Sequence, residues 1–339
     1  MTVMLLSKGF VATYGKLLDE TARRAGFKPD VVHLPDDAQA RLAPTALDRI
    51  EVTMLTRDIR FSDHYKMYGE TLLAAENLQF AHFDSTAIEQ HPFVAPLMKR
   101  GVKLTTATGS NGVPVAQTAI TTLLMMGRGL PLMMDAQRRK SWEPVRFAAQ
   151  PPDLQGQTII IVGMGTIGST VARFAQVLGM HVIGIRRKPR TESDPVDEMH
   201  ALTELPKLLP RCDWLVLACP LVPETRGLIS AQSLVLMKKS AGLINVARGA
   251  LCDEAAVIAA LKGGRLRCAH FDVFSTEPLP AESPLWGMPN VIVTPHSAGA
   301  SAGNELRSVR IFLDNLERRA RGEPLLNLQP AQSITTTLT

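Results

Sequence analysis

Short apolar runs alternate with longer amphipathic stretches along most of the chain. In the first third the runs are Val3 to Leu6, Val31 to Leu34, Val52 to Thr56, Phe80 to Phe83 and Val102 to Thr105. Strands alternating with helical spacers predict a parallel, doubly wound sheet. Val115 to Arg128 reads as a long, mostly apolar helix, and Pro144, Pro151 and Pro152 then break the pattern. From Gln157 it restarts, with Thr158 to Val162, His181 to Ile185, Trp214 to Ala218, Gly242 to Val246, Cys268 to Val273 and Val291 to Thr294. Runs such as Thr-Ile-Ile-Ile-Val, apolar at every position, suit central strands covered on both faces. A last helix is predicted from about Ser301 to Arg321, stopped by Gly322 and Pro324, with a polar, frayed tail from Gln329.

The 339 residues exceed what one core usually serves, so two domains are expected. A hydrophobic fraction of 45% and a charged fraction of 20% describe an ordinary globular chain rather than a disordered or fibrous one. A formal net charge of +5 is too small for a nucleic-acid-binding protein, though local basic clusters can still serve a single phosphate. No run approaches the length of a membrane span, and the start carries only a brief apolar stretch, which predicts a cytoplasmic protein. Cys212, Cys219, Cys252 and Cys268 lie in or beside apolar segments without metal-like spacing, so reduced core thiols and no metal are expected.

Gly163-Met-Gly165-Thr166-Ile167-Gly168 directly follows the strand at Thr158 and opens a helix. In that context the first glycine permits a tight turn, the second lets backbone approach a pyrophosphate, and the third lets helix and strand pack closely. A dinucleotide site is the reading. Where an NAD site carries an acidic residue for the ribose hydroxyls, this chain has Arg186-Arg187-Lys188. Guanidinium groups bind a 2′-phosphate, so NADP(H) is the preferred cofactor, with NAD(H) possible.

Three further segments end strands of the same half: Asn245 to Gly249, Asp272 to Leu279, and Thr294 to Gly299. Ligands of doubly wound sheets bind beyond the carboxyl ends of strands. Arg248, Glu277 and His296 thus offer a cation, a carboxylate and an imidazole, a set suited to anchoring a 2-oxo acid, polarising its carbonyl and delivering a proton. Each alone has an ordinary structural explanation; together they point to chemistry.

At these residues the sequence resembles the D-isomer-specific 2-hydroxyacid dehydrogenase family over about Leu78 to Leu326, through the Gly163 motif, Ala218-Cys219-Pro220-Leu221 with Thr225, and the three segments above. Glu277-Pro-Leu-Pro-Ala-Glu-Ser-Pro-Leu-Trp286 is closest to the NADPH-dependent glyoxylate/hydroxypyruvate reductase branch. The resemblance implies two doubly wound α/β domains, a Rossmann dinucleotide-binding domain (108–301) inserted into a flavodoxin-like substrate domain (1–107 plus 302–339). It implies a homodimer that interconverts a small 2-oxo acid and the D-2-hydroxy acid, with no nucleic-acid or membrane partner. In that scheme Arg248 holds substrate, His296 is the acid/base and Glu277 pairs with it. Thr166 and Ile167 meet the pyrophosphate, Cys219, Pro220 and Thr225 line the cofactor, and Ala247, Asp272 and Ala298 lie near it. Relatives carry a Gly-x-Gly substrate loop where this chain reads Ser85-Thr86-Ala87, so that loop is expected to differ in shape. A non-catalytic dinucleotide sensor on the same fold, and a formate- or phosphite-type dehydrogenase, are the alternatives.

Overall fold

The computed structural model describes residues 1–86, 88–145 and 150–330. The chain divides into two compact units, one formed by Met1–Ser110 and Ala302–Thr339, the other by Asn111–Ser301.

The first unit is built on five parallel strands: β1 (Thr2–Leu5), β2 (Pro29–Val32), β3 (Val52–Leu55), β4 (Phe80–Phe83) and β5 (Lys103–Thr106), in the spatial order β2-β1-β3-β4-β5. β1, β3 and β4 are buried at every position, as strands covered on both faces must be. The helix Asn304–Ala320 returns from the far end of the sequence to this sheet. Its Phe312 stacks on Phe80, with ring centroids 6.0 Å apart, and meets Phe10 edge-on. Gln329 donates its backbone N–H to Leu104, so the tail predicted to fray from there is anchored at its first residue. Its remainder, 331–339, lies outside the described residues.

The second unit carries seven parallel strands: β6 (Thr158–Val162), β7 (His181–Ile185), β8 (Glu198–His200), β9 (Trp214–Leu217), β10 (Gly242–Asn245), β11 (Cys268–Phe271) and β12 (Val291–Val293). Their order is β12-β11-β10-β9-β6-β7-β8, so the winding reverses beside β6, between β7 and β9. Ile160 and Val162 of β6 enter one core layer and Ile159 and Ile161 the other, which is why that strand has no polar face. Both sheets are the doubly wound α/β type expected.

Two differences have local causes. No apolar run announces β8, a half-buried three-residue edge strand, Glu-Met-His. The long helix spans Gly112–Gly127, and a second helix, Leu130–Arg138, follows it; Gly129 takes a left-handed φ of 71° between them and Pro131 falls in the first turn, where its missing N–H costs nothing.

Candidate functional site

The end of β6 meets the reversal point of the seven-stranded sheet, the place where open α/β sheets hold nucleotides. Gly163 turns the chain there with φ 99°, and a Cβ on it would stand 2.6 Å from the Ala218 carbonyl oxygen and the Cys219 nitrogen. A Cβ on Gly168 would come within 1.9 Å of the Gly163 carbonyl oxygen. Gly165 differs: a Cβ there would meet nothing within 4 Å. Gly163 and Gly168 are therefore demanded by protein packing, and the space in front of Gly165 is left for something else. Gly165 also precedes the helix Thr166–Val177 with no side chain capping its first turn, so the N–H groups there can face an anion. This geometry fits a dinucleotide pyrophosphate.

The basic segment after β7 is shaped by an ion pair. Both terminal nitrogens of Arg186 donate to Asp194, at 2.6 and 2.5 Å, while Nε and the second N–H of Nη2 take the carbonyls of Lys188 and Pro189. Hydrogen bonds from Arg186 and Thr191 hold the Asp194 carboxyl down to about 2. Arg186 is thus spent on folding its own loop. The side chains of Arg187 and Lys188 are exposed, and among the described residues no ion pair engages either.

The Cys219 to Thr225 segment forms a closed turn: the Thr225 hydroxyl donates to the Pro220 carbonyl at 2.9 Å and accepts the Val222 N–H at 2.9 Å. Thr225 is buried and its hydroxyl shapes the turn. Cys219 is buried too, and desolvation pushes its thiol up to about 11. All four cysteines are free and buried.

Asn245, at the end of β10, closes the next turn by donating to the Arg248 carbonyl and accepting the Ala247 N–H. A Cβ on Gly249 would lie 2.0 Å from the Phe274 carbonyl carbon, so only glycine lets this turn press against the segment after β11. Arg248 beside it is exposed, with one guanidinium nitrogen 2.6 Å from the Ala247 carbonyl. Its charge reaches Glu277.

Glu277 and His296 meet. One carboxylate oxygen of Glu277 accepts the Phe274 N–H at 3.0 Å, and the other lies 2.7 Å from His296 Nδ1. Burial works to raise the Glu277 carboxyl, but hydrogen bonds from His296 and Phe274, with the His296 and Arg248 charges, outweigh it and hold the group below its ordinary value. The imidazole is half exposed. His296 adopts a left-handed φ of 50°, rare for a residue with a side chain and costing about 1–3 kcal/mol. Such strain persists only where neighbours over-determine it, and Asp272 does so: its carbonyl accepts the His296 N–H, and one carboxylate oxygen accepts the Thr294 hydroxyl and the N–H groups of Ser297 and Ala298.

The geometry thus gathers Arg248, Glu277 and His296 at strand ends of one unit. Asp272 and Ala298 are buried scaffolding beneath them. Ser85 and Thr86 follow β4 in the other unit, and Ala87 lies outside the described residues. His270, which no motif marks in the sequence, is bonded directly into the segment bearing His296. Only the register of β11 against β12 reveals it.

The model of the D-isomer specific 2-hydroxyacid dehydrogenase NAD-binding domain matches residues 120–298, over half of the chain. The chain belongs to this family. Glyoxylate reductase of Korarchaeum cryptofilum is 34% identical to this 2-hydroxyacid dehydrogenase homologue over 237 residues, covering 68% of the chain and 70% of the relative. D-3-phosphoglycerate dehydrogenase of Methanocaldococcus jannaschii is 31% identical over 275 residues, 80% of the chain but 49% of that protein; the chain spans about half the length of the first curated relatives it matches. Among solved structures, a D-isomer specific 2-hydroxyacid dehydrogenase from Xanthobacter autotrophicus Py2, in complex with NADPH and MES, superposes with a TM-score of 0.68 at 27% identity, over 97% of the chain and 98% of the other. Among the described residues no helix is long and apolar enough to cross a membrane, and no group of three or more His, Cys, Asp or Glu is placed to hold a metal.

Proposed function

We propose that the protein interconverts a small 2-oxo acid of the glyoxylate or hydroxypyruvate kind and its D-2-hydroxy acid, using NADP(H). The Glu277–His296 pair at 2.7 Å, beside the exposed Arg248, carries the proposal. The unit Asn111–Ser301 is the cofactor unit in this reading, and Met1–Ser110 with Ala302–Thr339 the substrate unit, to which Ser85, Thr86 and Ala87 belong.

Arg248 presents a planar, permanently charged fork that matches a carboxylate and polarises the adjacent carbonyl. Glu277, ionised and pinned by Phe274, accepts Nδ1–H and fixes the ring. In reduction His296 then delivers its Nε2 proton to the substrate oxygen as negative charge develops there; in oxidation it removes the hydroxyl proton. The nicotinamide, when bound, supplies or accepts the hydride at C2. Gly165, Thr166 and Ile167 hold the pyrophosphate, and Arg187 with Lys188 receives the 2′-phosphate. The NADPH-bound relative supports that choice.

We also propose a homodimer. Leu130, Leu132, Met133 and Met134 expose apolar surface along one short helix, and Trp142 just beyond it is 94% exposed. A second copy would cover this surface. Sedimentation that finds a monomer at micromolar concentration overturns this part.

The deciding experiment follows NADPH and NADH oxidation with glyoxylate, hydroxypyruvate, pyruvate and bulkier 2-oxo acids. Turnover of the small acids with NADPH preferred is expected. NADPH binding without turnover of any acid overturns the enzymatic reading.

A further inference from the structure

His270 on β11 is fully buried beneath the segment that carries His296, and no part of the proposed reaction uses it. Its ring is bonded on both sides. Nδ1 lies 3.1 Å from the Thr122 hydroxyl, on the helix Gly112–Gly127, and Nε2 lies 3.0 Å from the Thr294 hydroxyl.

The direction of these bonds follows from counting protons. Thr294 spends its one hydroxyl proton on Asp272, at 2.6 Å. It must therefore accept from His270, which fixes the proton on Nε2. Nδ1 is then a lone pair and accepts from Thr122. Burial pushes the imidazole down to about 4, so the ring stays neutral near pH 7 and can play both parts. The Thr122 hydroxyl also lies 3.0 Å from the carbonyls of Thr118 and Ala119, which compete for its proton, so the tie to Thr294 is the firmer one.

We infer that His270 is a positioning residue for His296, acting through Thr294 and Asp272. Asp272 gathers the Thr294 hydroxyl and the N–H groups of Ser297 and Ala298 on one oxygen and the His296 N–H on its carbonyl, so whatever fixes Thr294 fixes the backbone on both sides of His296. The helix that offers Thr122 also ties the far end of the segment, through the Thr118 hydroxyl and the Ala298 carbonyl at 3.0 Å. A left-handed His296 needs such over-determination. The inference rests on the proposed role of His296, and its test includes a measurement independent of turnover.

Three variants test it. His270→Phe keeps a ring without nitrogens, Thr294→Val keeps the volume without the hydroxyl, and Thr294→Ser restores the hydroxyl. The first two are expected to lower kcat about ten- to a hundredfold, the scale on which small misplacement of a reacting group acts. KM for the 2-oxo acid and Kd for NADPH should move by no more than about twofold, because neither Arg248 nor the glycine turn is touched. Amide exchange at Ser297 and Ala298 should quicken about tenfold, and Thr294→Ser should restore both readouts. A folded His270→Phe protein with parental kcat and parental exchange overturns the inference. Should that variant fail to fold, Thr294→Val and Thr294→Ser decide, and equal behaviour of the two overturns it. If the parent reduces no 2-oxo acid, the functional reading fails, while exchange at Ser297 and Ala298 still decides the positioning role.

Discussion

His296 Nδ1 and the Glu277 carboxylate stand 2.7 Å apart, with the second carboxylate oxygen held by the Phe274 N–H. The bond assigns the two ring nitrogens different work. Nδ1 is tied to the protein, and in the proposed mechanism Nε2 serves the substrate. His296→Asn is accordingly expected to lose about a hundredfold or more in kcat, the usual contribution of a positioned acid/base group. Glu277→Gln should lose less, because the imidazole remains while its orientation and tautomer loosen. Both should bind NADPH as the parent does. Near-parental turnover in His296→Asn would sink the acid/base role.

Arg186 and Arg187 are neighbours in sequence and opposites in structure. Arg186 is bound to Asp194 through both terminal nitrogens, whereas Arg187 is exposed and without an ion partner among the described residues. Arg187→Ala should therefore cut the ratio of NADPH to NADH efficiency about tenfold, the value of a charge-assisted bond to phosphate. Arg186→Ala should weaken both cofactors together by releasing the loop. The efficiency ratios of the two variants check this, and an unchanged ratio in Arg187→Ala with a collapsed one in Arg186→Ala would reverse the assignment.

The glycine turn allows a separation of folding from binding. Gly168→Ala drives a Cβ to within 1.9 Å of the Gly163 carbonyl oxygen, and backbone must shift to admit it. A loss of about 1–3 kcal/mol of stability is expected, measured by denaturant titration. Gly165→Ala meets no protein atom within 4 Å and sits at φ −84°, so the fold should be untouched. Cofactor affinity should fall tenfold or more, since the new methyl occupies the space a pyrophosphate would take. Equal cofactor affinity in Gly165→Ala and the parent would contradict the placement.

What could be read from the residues alone divides along physical lines. Ile159 to Val162 announce a central strand because both faces of a parallel sheet are covered, so apolarity without alternation is itself a signal. Glu198–His200 gives no such signal, since an edge strand half open to solvent can be polar and only three residues long. The candidate residues Arg248, Glu277 and His296 stand out as short motifs at strand ends, and the resemblance implies the Glu277–His296 pairing, yet the contacts that hold the surrounding loops are not legible. Asp194 lies eight residues beyond Arg186, and nothing in that spacing announces a bidentate pair. His270 meets Thr294 only because β11 and β12 run parallel with His270 opposite Ile292. Register and long-range pairing are properties of the packed sheet, and they decide which polar side chains are spent on the scaffold.

Three buried histidines, His82, His91 and His270, are held below their ordinary value by burial and give the fold a pH dependence with a definite sign. His82 on β4 is hydrogen-bonded to Thr105 at 2.8 Å, and burial pushes its imidazole from 6.5 down to about 3. Burial pushes His270 from 6.5 down to about 4. In the folded protein the His82 and His270 rings are neutral down to those values, while in the unfolded chain all three histidines take up protons once the pH falls below about 6.5. The unfolded state then binds more protons, so stability declines as pH falls through this window and is fully present above it. Each ring contributes a slope of up to about 1.4 kcal/mol per pH unit. The denaturant midpoint should drop between pH 7 and pH 5 by more than the carboxylates, titrating lower, account for. His82→Asn cannot titrate, and its amide falls where Nδ1 stands and can still bond to Thr105; it should flatten that decline by roughly one histidine's share. A His82→Asn protein whose midpoint falls as steeply as the parent's would show that His82 is not held neutral by burial.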